Sequence, residues 1–201
     1  MAISERLKMF LDGSKVRYAI ATHPAVYTAQ EIAAAQHVPG RQLAKSVLVK
    51  TDRGPVLAVL PAVALIDFKR LKTLLRAKTL SLAKEDGVKR CFPDVEVGAM
   101  SPFGNLYQVP VVVDRALEGT EEVVFNAGSH TETVRMRYRD FSALVQPTVG
   151  IFGRLLLPPR TRLAKRAASP RRSHPVGSKS KGKSAVRGAG TRKGRSKSKR
   201  R

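Results

Sequence analysis

Gly98-Ala99-Met100-Ser101-Pro102-Phe103-Gly104 is the stretch around which the rest of the chain is organised. Two glycines and a proline this close together cannot continue a helix or a central strand, so the stretch is predicted to be a loop. Met100 and Phe103 are apolar, which indicates that the loop packs inward. Glycine lets a backbone approach a ligand, and such a loop can direct N–H groups at a polar substrate atom. An ordinary tight turn between two strands is the alternative.

Charge divides the chain into two parts. The 201 residues carry a formal net charge of +23. Residues 154–201 contain 18 Lys or Arg and no Asp or Glu, whereas residues 1–153 contain 20 basic and 15 acidic residues, about +5. Beyond Ala168 the chain is mainly Ser, Gly, Lys and Arg and cannot bury enough apolar surface to fold. We therefore predict a folded domain over residues 1–153 and a disordered basic tail over residues 154–201.

Several classes of protein are disfavoured. Cys91 is the single cysteine, which excludes an intramolecular disulfide framework and a Cys-rich zinc site. No stretch reaches the roughly 18 apolar residues of a membrane span, and the start of the chain lacks a signal-peptide pattern, so a cytoplasmic protein is expected. The motifs of serine hydrolases, zinc peptidases and nucleotide-binding loops are missing, and Asp114 and Glu132 are not spaced as a glycosidase pair. No cofactor or metal is predicted.

Hydrophobic periodicity and turn residues predict short helices and strands in mixed order. Thr28 and Glu31 have the spacing of a capping box, and Asp67 is predicted to cap a basic amphipathic helix. Helices are expected at residues 4–12, 28–36, 67–75, 84–90 and 138–145, and strands at 16–21, 45–50, 55–60, 80–83, 109–114, 121–126 and 131–137. This mixture predicts an α+β fold with a mixed, largely antiparallel β-sheet core and surrounding helices.

Three residues outside the loop are candidates for chemistry. Lys45 begins an apolar strand, where a lysine can hold a phosphate as a point charge. His130 follows Gly128-Ser129 in a turn between strands and is suited to acid–base or hydrogen-bonding work. His23 precedes Pro24 at the end of a strand. Taken singly, each is equally compatible with an ordinary structural or solvated residue.

The order of these residues resembles one family. His23-Pro24 is followed by Thr28 and Glu31, then by Ala44-Lys45-Ser46 at the start of a strand, the Gly98 loop, a strand ending at Asp114, and Gly128-Ser129-His130. This set is similar to the YbaK/EbsC family, the prolyl-tRNA synthetase-associated editing domains. The resemblance covers about residues 3–147 and implies a barrel-like core.

The resemblance implies hydrolysis of the ester in a mischarged aminoacyl-tRNA, without a metal. Lys45 would contact phosphate near the tRNA 3′ end. Backbone groups of Gly98 to Pro102 would face the aminoacyl carbonyl and the attacking water, and His130 would line the amino-acid pocket or steady the terminal ribose hydroxyl. The implied catalytic set is Lys45, Gly98, Ser101, Pro102 and His130. The implied substrate-binding set is His23, Tyr27, Thr28, Ala99, Met100, Phe103, Asp114, Gly128 and Ser129.

The segment before the loop departs from the family pattern. Many members carry a Thr-Gly pair there, where this chain has Cys91-Phe92-Pro93-Asp94-Val95-Glu96-Val97. The amino-acid pocket is therefore expected to differ from that of alanine- or cysteine-removing members. The sequence does not name the amino acid, the tRNA, the oligomeric state or a partner synthetase.

The basic tail adds a second expectation. A polycation attracts phosphate backbones in a salt-dependent way, and no aromatic residue follows Phe152 to stack on bases. We predict that the tail anchors RNA near the editing site, with rRNA, other RNA or DNA as further possible ligands. A low-complexity extension without a role is the alternative.

Three functions remain open at this point. The first is a free-standing trans-editing hydrolase with tRNA as partner and a transient association with an aminoacyl-tRNA synthetase. The second is a catalytically silent editing fold that binds nucleic acid through its tail. The third is a hydrolase or binder of another small aminoacyl ester that acts without tRNA.

Overall fold

A computed structural model describes residues 3–155 of the chain. The first compact unit of the chain runs from Met1 to Arg160, and the remainder, Thr161–Arg201, lies outside the described residues. The helices are α1 Glu5–Gly13, α2 Ala29–Ala35, α3 Phe68–Leu74, α4 Glu85–Cys91 and α5 Tyr138–Val145. The strands are β1 Tyr18–Thr22, β2 Ala44–Thr51, β3 Gly54–Pro61, β4 Ala64–Ile66, β5 Leu80–Leu82, β6 Val111–Asp114, β7 Glu122–Asn126, β8 Glu132–Arg137, β9 Thr148–Gly150 and β10 Gly153–Leu155.

The strands of the described part form three sheets. The largest has the order β5-β2-β3-β6-β9, in which β6 runs parallel to β3 and β9 while the other pairings are antiparallel. The other two sheets, β1-β8-β7 and β10-β4, are antiparallel throughout. The predicted α+β class with a mixed, largely antiparallel core is confirmed. A parallel bridge joins Leu43, the residue before β2, to Val124 of β7 and so links the largest sheet to the β1-β8-β7 sheet. Within residues 3–155 the sheets do not close into a barrel.

The five-stranded sheet separates two apolar clusters. Side chains alternate across a strand, so Leu57 and Val59 of β3 enter one cluster while Ala58 and Leu60 enter the other. The larger cluster also contains the buried rings of Phe92, Phe103, Phe125 and Phe141. The smaller one lies under α3 and contains Leu71 and Phe152. The helices therefore cover both faces of the sheet, and the sheet provides a rigid base for the residues at the start of β2.

Local sequence signals account for most element boundaries. Thr28 Oγ1 accepts from the Glu31 N–H and the Glu31 carboxylate accepts from the Thr28 N–H, which is the predicted capping box of α2. Asp67 caps α3 through the Arg70 N–H at 3.1 Å. The predicted strands at 45–50 and 55–60 are β2 and β3, which form a hairpin with Gly54 at φ +117° in its turn.

Three strands, β4, β9 and β10, were not predicted. Each has three residues, too few to show an alternating pattern, and each forms through a partner distant in sequence. β10 includes Arg154 and Leu155, so the folded unit extends beyond the predicted boundary at residue 153. The predicted disorder of the tail concerns residues outside the described part. Among the described helices, none has the length and apolar character that crossing a membrane requires.

Candidate active site

The Gly98–Gly104 loop is packed inward, as predicted. Met100 is 6% exposed and Phe103 is fully buried. The ring of Phe103 packs against Phe125 and Phe141, with centroids 5.6 Å away in each case. Phe103, predicted to bind substrate, is therefore a core residue that anchors one end of the loop. Gly98, at the other end, is exposed and has φ +92°, a backbone conformation that L side chains rarely adopt.

The turn at residues 127–130 is joined to this loop by main-chain hydrogen bonds. The Glu96 N–H donates to the Gly128 carbonyl at 3.0 Å, and the Gly128 N–H donates to the Ala99 carbonyl at 3.1 Å. The Glu96 carboxylate accepts from the His130 N–H at 2.9 Å. Gly128 has φ +104°, and a Cβ there would lie 3.1 Å from the Cβ of Ser4. The loop and the turn, predicted separately, thus form one unit.

His130 is fixed in orientation by three neighbours. Its Nε2 lies 3.0 Å from the Val97 carbonyl, which can only accept, so Nε2 carries the hydrogen. In the neutral ring Nδ1 is then an acceptor, and this buried atom has no partner among the described residues. The Tyr27 ring packs against it at an interplanar angle of 53° with centroids 4.8 Å apart, and a Cβ at Gly98 would lie 3.4 Å from His130 Cε1. That distance is an ordinary contact, so the φ of +92° at Gly98, and not a lack of space, is what disfavours a side chain there.

Lys45 is the second residue of β2. No carboxylate of the described residues forms an ion pair with it. Its side chain is half-buried, and Nζ donates to the Ala62 carbonyl at 3.3 Å. An ammonium has three donors, so two are left for a ligand. Burial lowers the pKa of Lys45 from its usual value of 10.5. The result is a partly desolvated cation without a counter-ion, which suits the binding of an anionic group.

A small cavity of about 30 Å³ lies between β2, α2 and the loop. Two buried polar atoms that have no hydrogen-bond partner within residues 3–155, Ser46 Oγ and Asn126 Oδ1, belong to residues that line it. A space of this size accommodates about one water-sized group, and buried polar atoms are normally hydrogen-bonded. The full lining is Tyr27, Ala29, Ile32, Leu43, Ala44, Lys45, Ser46, Gly98, Met100 and Asn126. Four predicted site residues, Tyr27, Lys45, Gly98 and Met100, thus meet at one cavity.

Other predicted residues support this site rather than line it. Thr28 is occupied in capping α2. His23 is buried and its Nδ1 lies 2.8 Å from the Pro24 carbonyl, while its Nε2 has no partner among the described residues. Ser129 is fully buried, with Oγ 3.4 Å from Thr131 Oγ1. Ala99, Ser101 and Pro102 are buried within the loop.

Asp114 does not join the site. Its carboxylate is 3% exposed and accepts from the N–H groups of Ala116, Phe152 and Gly153. These bonds connect the end of β6 to the residues that enter β10. An acid at the end of an apolar strand resembles a ligand in the sequence, but here it satisfies backbone donors. We therefore withdraw its predicted role in substrate binding.

Three residues of the site were not predicted: Ser46, Asn126 and Glu96. Ser46 and Asn126 are polar positions within or at the end of apolar strands, and that interruption of the pattern is the signal that could have identified them. Glu96 lies in the segment that departs from the family pattern. Asp94 of the same segment accepts from Ser4 Oγ at 2.8 Å and Tyr107 OH at 3.1 Å. Burial opposes ionisation of Asp94, but these hydrogen bonds outweigh it and its pKa is lowered.

This assembly agrees with the comparison to known families. Residues 23–144, more than half of the chain, match the model of the aminoacyl-tRNA editing domain. The chain belongs to this family. The resemblance seen in the sequence is confirmed, and with it the predicted class of enzyme, an aminoacyl-tRNA editing hydrolase.

Relatives of known name include free-standing and fused editing domains. The chain is 28% identical over 148 residues to the prolyl-tRNA editing protein ProX of Acetoanaerobium sticklandii, covering 71% of this chain and 90% of that protein. It is 28% identical over 158 residues to the multifunctional Ser/Thr-tRNA deacylase ProXp-y of Escherichia coli K12, covering 75% and 92%. A proline–tRNA ligase of Geobacter sulfurreducens is 33% identical over 122 residues, which cover 59% of this chain and 21% of the ligase.

Solved structures share the fold. The crystal structure of a candidate trans-editing enzyme for prolyl tRNA synthetase superposes with a TM-score of 0.68 at 22% identity, covering 75% of this chain and 96% of the other. At this identity the likeness supports the fold alone.

Proposed function

We propose that this chain is a trans-editing deacylase that hydrolyses the ester between a wrongly attached amino acid and the 3′ end of a tRNA. The observation that carries the proposal is the convergence of Lys45, the Gly98 loop and the His130 turn beside one small cavity. Relatives named for prolyl-tRNA editing and for Ser/Thr-tRNA deacylation support the same reaction.

Lys45 is the group that would hold the tRNA. Its two remaining N–H donors and its uncompensated charge fit a phosphate oxygen near the 3′ end. A charge-assisted hydrogen bond is worth about 1.5–3 kcal/mol, so the contact would position the ester as well as attract it. The lysine takes no part in bond making in this scheme.

The Gly98 loop would stabilise the developing oxyanion. Neither the Gly98 nor the Met100 N–H donates a hydrogen bond within residues 3–155. Both residues line the cavity, so these N–H groups are our candidates for donors to the carbonyl oxygen. An ester needs little activation, so fixed donors and an oriented water supply much of the effect. One oxyanion donor contributes about 10²–10³-fold in kcat.

His130 and Ser46 would orient the attacking water and the ribose. The lone pair on His130 Nδ1 is directed by the Nε2 bond to Val97, and it can accept from the terminal ribose hydroxyl or from water. Ser46 Oγ and Asn126 Oδ1 provide further polar contacts in the cavity. Tyr27, which is 73% exposed and packs against His130, would cover the ester from solvent. Substrate contacts of His23 and Thr28 stay predictions.

The mechanism uses no metal in this proposal. Within residues 3–155 no group of three or more His, Cys, Asp or Glu side chains is arranged to hold a metal ion. In this scheme the attacking water forms the new bond to the aminoacyl carbonyl carbon, and its proton passes to His130 Nδ1 or to the free ribose hydroxyl, which hands on its own proton. The bond between that carbon and the esterified ribose oxygen breaks, and this oxygen takes up the proton as it leaves.

The test is release of the amino acid from a panel of mischarged tRNAs, including Pro, Ala, Cys, Ser and Thr esters. Lys45→Ala should lower kcat/KM by about 10–100-fold, the equivalent of one charge-assisted hydrogen bond. Gly98→Ala should lower kcat by a similar factor or more, because a Cβ at φ +92° is strained and contacts His130. Lys50→Ala, an exposed lysine of the same strand, and Gly119→Ala, where a Cβ meets nothing within 4 Å, are the controls. Absence of release from every tRNA would reject the proposal.

The alternative is an editing fold without activity that binds nucleic acid through residues 154–201. It predicts that Lys45→Ala has no effect and that removing the 18 basic residues of this segment abolishes binding. In our proposal the same segment only raises the local concentration of tRNA. Binding of rRNA or DNA, transient association with a synthetase and a cytoplasmic location stay predictions.

A further inference from the structure

Nearly all of the net charge outside the tail lies in twelve residues. The segment from Asp67 to Lys78, which contains α3, has five cations and one acid, a net charge of +4, whereas residues 1–153 together carry about +5. All five cations are exposed. We call them the α3 basic surface: Lys69, Arg70, Lys72, Arg76 and Lys78.

Four of these five cations have no counter-ion among residues 3–155. Arg70 alone has a carboxylate within ion-pair distance, that of Asp67 at 3.5 Å. Asp52 approaches the segment, but its carboxylate accepts from the main-chain N–H groups of Lys78 and Thr79 rather than from a side chain. The other four side chains form no ion pair within residues 3–155. Exposed helices more often intersperse both signs, as α4 does with Glu85 and Asp86 beside Lys89 and Arg90.

Two of the five cations, Lys69 and Arg70, border a cleft that also has an apolar part. A cleft of about 550 Å³ is lined by Lys69, Arg70, Thr73 and Leu74 of α3, together with Asp67 and Ile151. Gly150 allows the β9–β10 connection to approach, because a Cβ there would lie 2.4 Å from Leu74. Phe68 and Ile151 are 41% and 55% exposed. Cations beside exposed apolar side chains in a cleft fit a chain of phosphates carrying sugars and bases.

The surface lies on the same side of the sheet as Lys45. Side chains alternate along a strand, so Lys45 and Val49 project from the same face of β2. Val49 packs in the cluster that contains Leu71 of α3. Four residues of strand span about 14 Å, so Lys45 and the sheet position beneath α3 lie within reach of one polynucleotide strand. In addition, Leu155 pairs with Ala64 and Arg154 with Leu65, so the last described residues lie beside the strand that leads into α3.

We propose that the α3 basic surface is a second RNA-binding surface, which holds the phosphate backbone of the tRNA at a distance from the ester. The inference extends the proposed function, since it takes the tRNA as the ligand of both sites. In this proposal the α3 basic surface increases the affinity for tRNA, and the residues around the cavity carry out the hydrolysis.

Removal of three unpaired cations tests the proposal in the full-length protein. The variant Lys69→Gln/Lys72→Gln/Lys78→Gln is compared with Lys84→Gln/Lys89→Gln/Arg90→Gln, which removes three exposed charges at α4. Binding of a tRNA is measured by fluorescence anisotropy at several salt concentrations. The α3 variant should bind at least about 10-fold more weakly at low salt, and its slope of log K against log salt should fall by roughly 2–3, about one unit per lost phosphate contact. Equal losses in the two variants would overturn the proposal, because they would reflect net charge alone.

Hydrolysis of two substrates separates this proposal from the proposed function. On aminoacyl-tRNA the α3 variant should raise KM and leave kcat unchanged, the signature of lost uniform binding. On the aminoacyl ester of adenosine, which has no phosphate backbone, it should match the wild type. An equal loss of rate on the adenosine ester would overturn the α3 assignment. If the wild type hydrolyses neither ester, the proposed function fails, while the binding comparison still decides whether the α3 basic surface holds RNA.

Discussion

His130 illustrates how a single side chain acquires a defined chemical role. Its main-chain N–H is held by Glu96, its Nε2 by the Val97 carbonyl, and its ring face by Tyr27. A carbonyl partner selects the tautomer in which Nδ1 is the acceptor. Nδ1 is therefore an acceptor at a fixed position. Two of these three contacts come from the segment that precedes Gly98.

Replacement of His130 by Gln tests this role. The Gln amide can still donate near the Nε2 position to the Val97 carbonyl, but the acceptor at the Nδ1 position is lost. We expect kcat for deacylation to fall by at least about 10-fold, within the range for acid–base and orienting groups, with little change in Tm. Single-turnover kinetics and a thermal melt are the measurements. His37→Gln, at the exposed histidine after α2, is the control, and an unchanged kcat in His130→Gln would remove Nδ1 from the mechanism.

Burial of Lys45 leads to a prediction about pH. Because desolvation lowers its pKa below 10.5, the free enzyme loses this charge at a lower pH than an exposed lysine would. The value of kcat/KM reports ionisations of the free enzyme and should fall as pH rises through the lowered pKa. Lys45→Arg keeps its charge over this range, so its normalised profile should stay level. Deacylation rates corrected for spontaneous ester hydrolysis provide the test, and identical profiles for both proteins would show that Lys45 ionisation is not involved.

At the scale of elements, helix α2 connects a capping residue to the cavity. Thr28 was predicted to lie at the rim of the pocket, but its hydroxyl accepts from the Glu31 N–H. The helix that it caps carries Ala29 and Ile32, which line the cavity. Thr28 therefore acts on the site through the position of α2.

The two roles of Thr28 are distinguished by a pair of substitutions. Thr28→Ala should destabilise the protein by about 1 kcal/mol, the usual cost of a lost N-cap, and lower Tm by roughly 2–4 °C. Thr28→Ser retains the capping oxygen and should restore both Tm and deacylation. A direct substrate contact through the Thr28 methyl group would instead give a Ser variant with normal Tm and reduced activity. Thermal melts and kcat/KM measured side by side decide between them.

At the scale of the whole molecule, the sequence predicts those helices, strands and turns that depend on residues close together in the chain. Capping residues, the Gly54 turn and the apolar runs of β2 and β3 are local, and the elements that depend on them were predicted within a few residues. β9 and β10 form only through partners distant in the chain, so no local pattern indicated them. The packing of Phe103 and the hydrogen bonds of Asp114 were not predicted for the same reason, since their partners are distant in sequence.

The site itself was predicted only in part. The order of Lys45, Gly98 and His130 along the chain was visible through the family resemblance. Their approach depends on hydrogen bonds between the loop and the turn, including the contact of Glu96 with His130, which have no sequence signature. Ser46 and Asn126 enter the site because β2 and β7 meet at the cavity. The packing of one sheet against another determines that these two residues lie at the cavity, and the periodicity of a single strand does not indicate it.

Asp114 holds the last strands of the fold to the central sheet, and this can be tested directly. Its carboxylate accepts from the Phe152 and Gly153 N–H groups at 2.8 and 2.5 Å, and a Cβ at position 153 would make a tight contact of 3.0 Å with the carboxylate carbon. Asp114→Ala leaves these N–H groups unpaired. At about 1–3 kcal/mol for each buried donor, we expect a loss of about 3–5 kcal/mol in the free energy of unfolding.

Urea denaturation of Asp114→Ala measures this loss, with Glu121→Ala, an exposed acid, as the control. The expected loss is a large share of the stability of a domain of this size, so Tm should fall by roughly 10 °C. Deacylation per folded molecule should remain near that of the wild type, because the carboxylate does not line the cavity. A stable variant with impaired deacylation would return Asp114 to the active site, whereas an unstable variant with normal kcat would identify it as a structural link between β6 and β10.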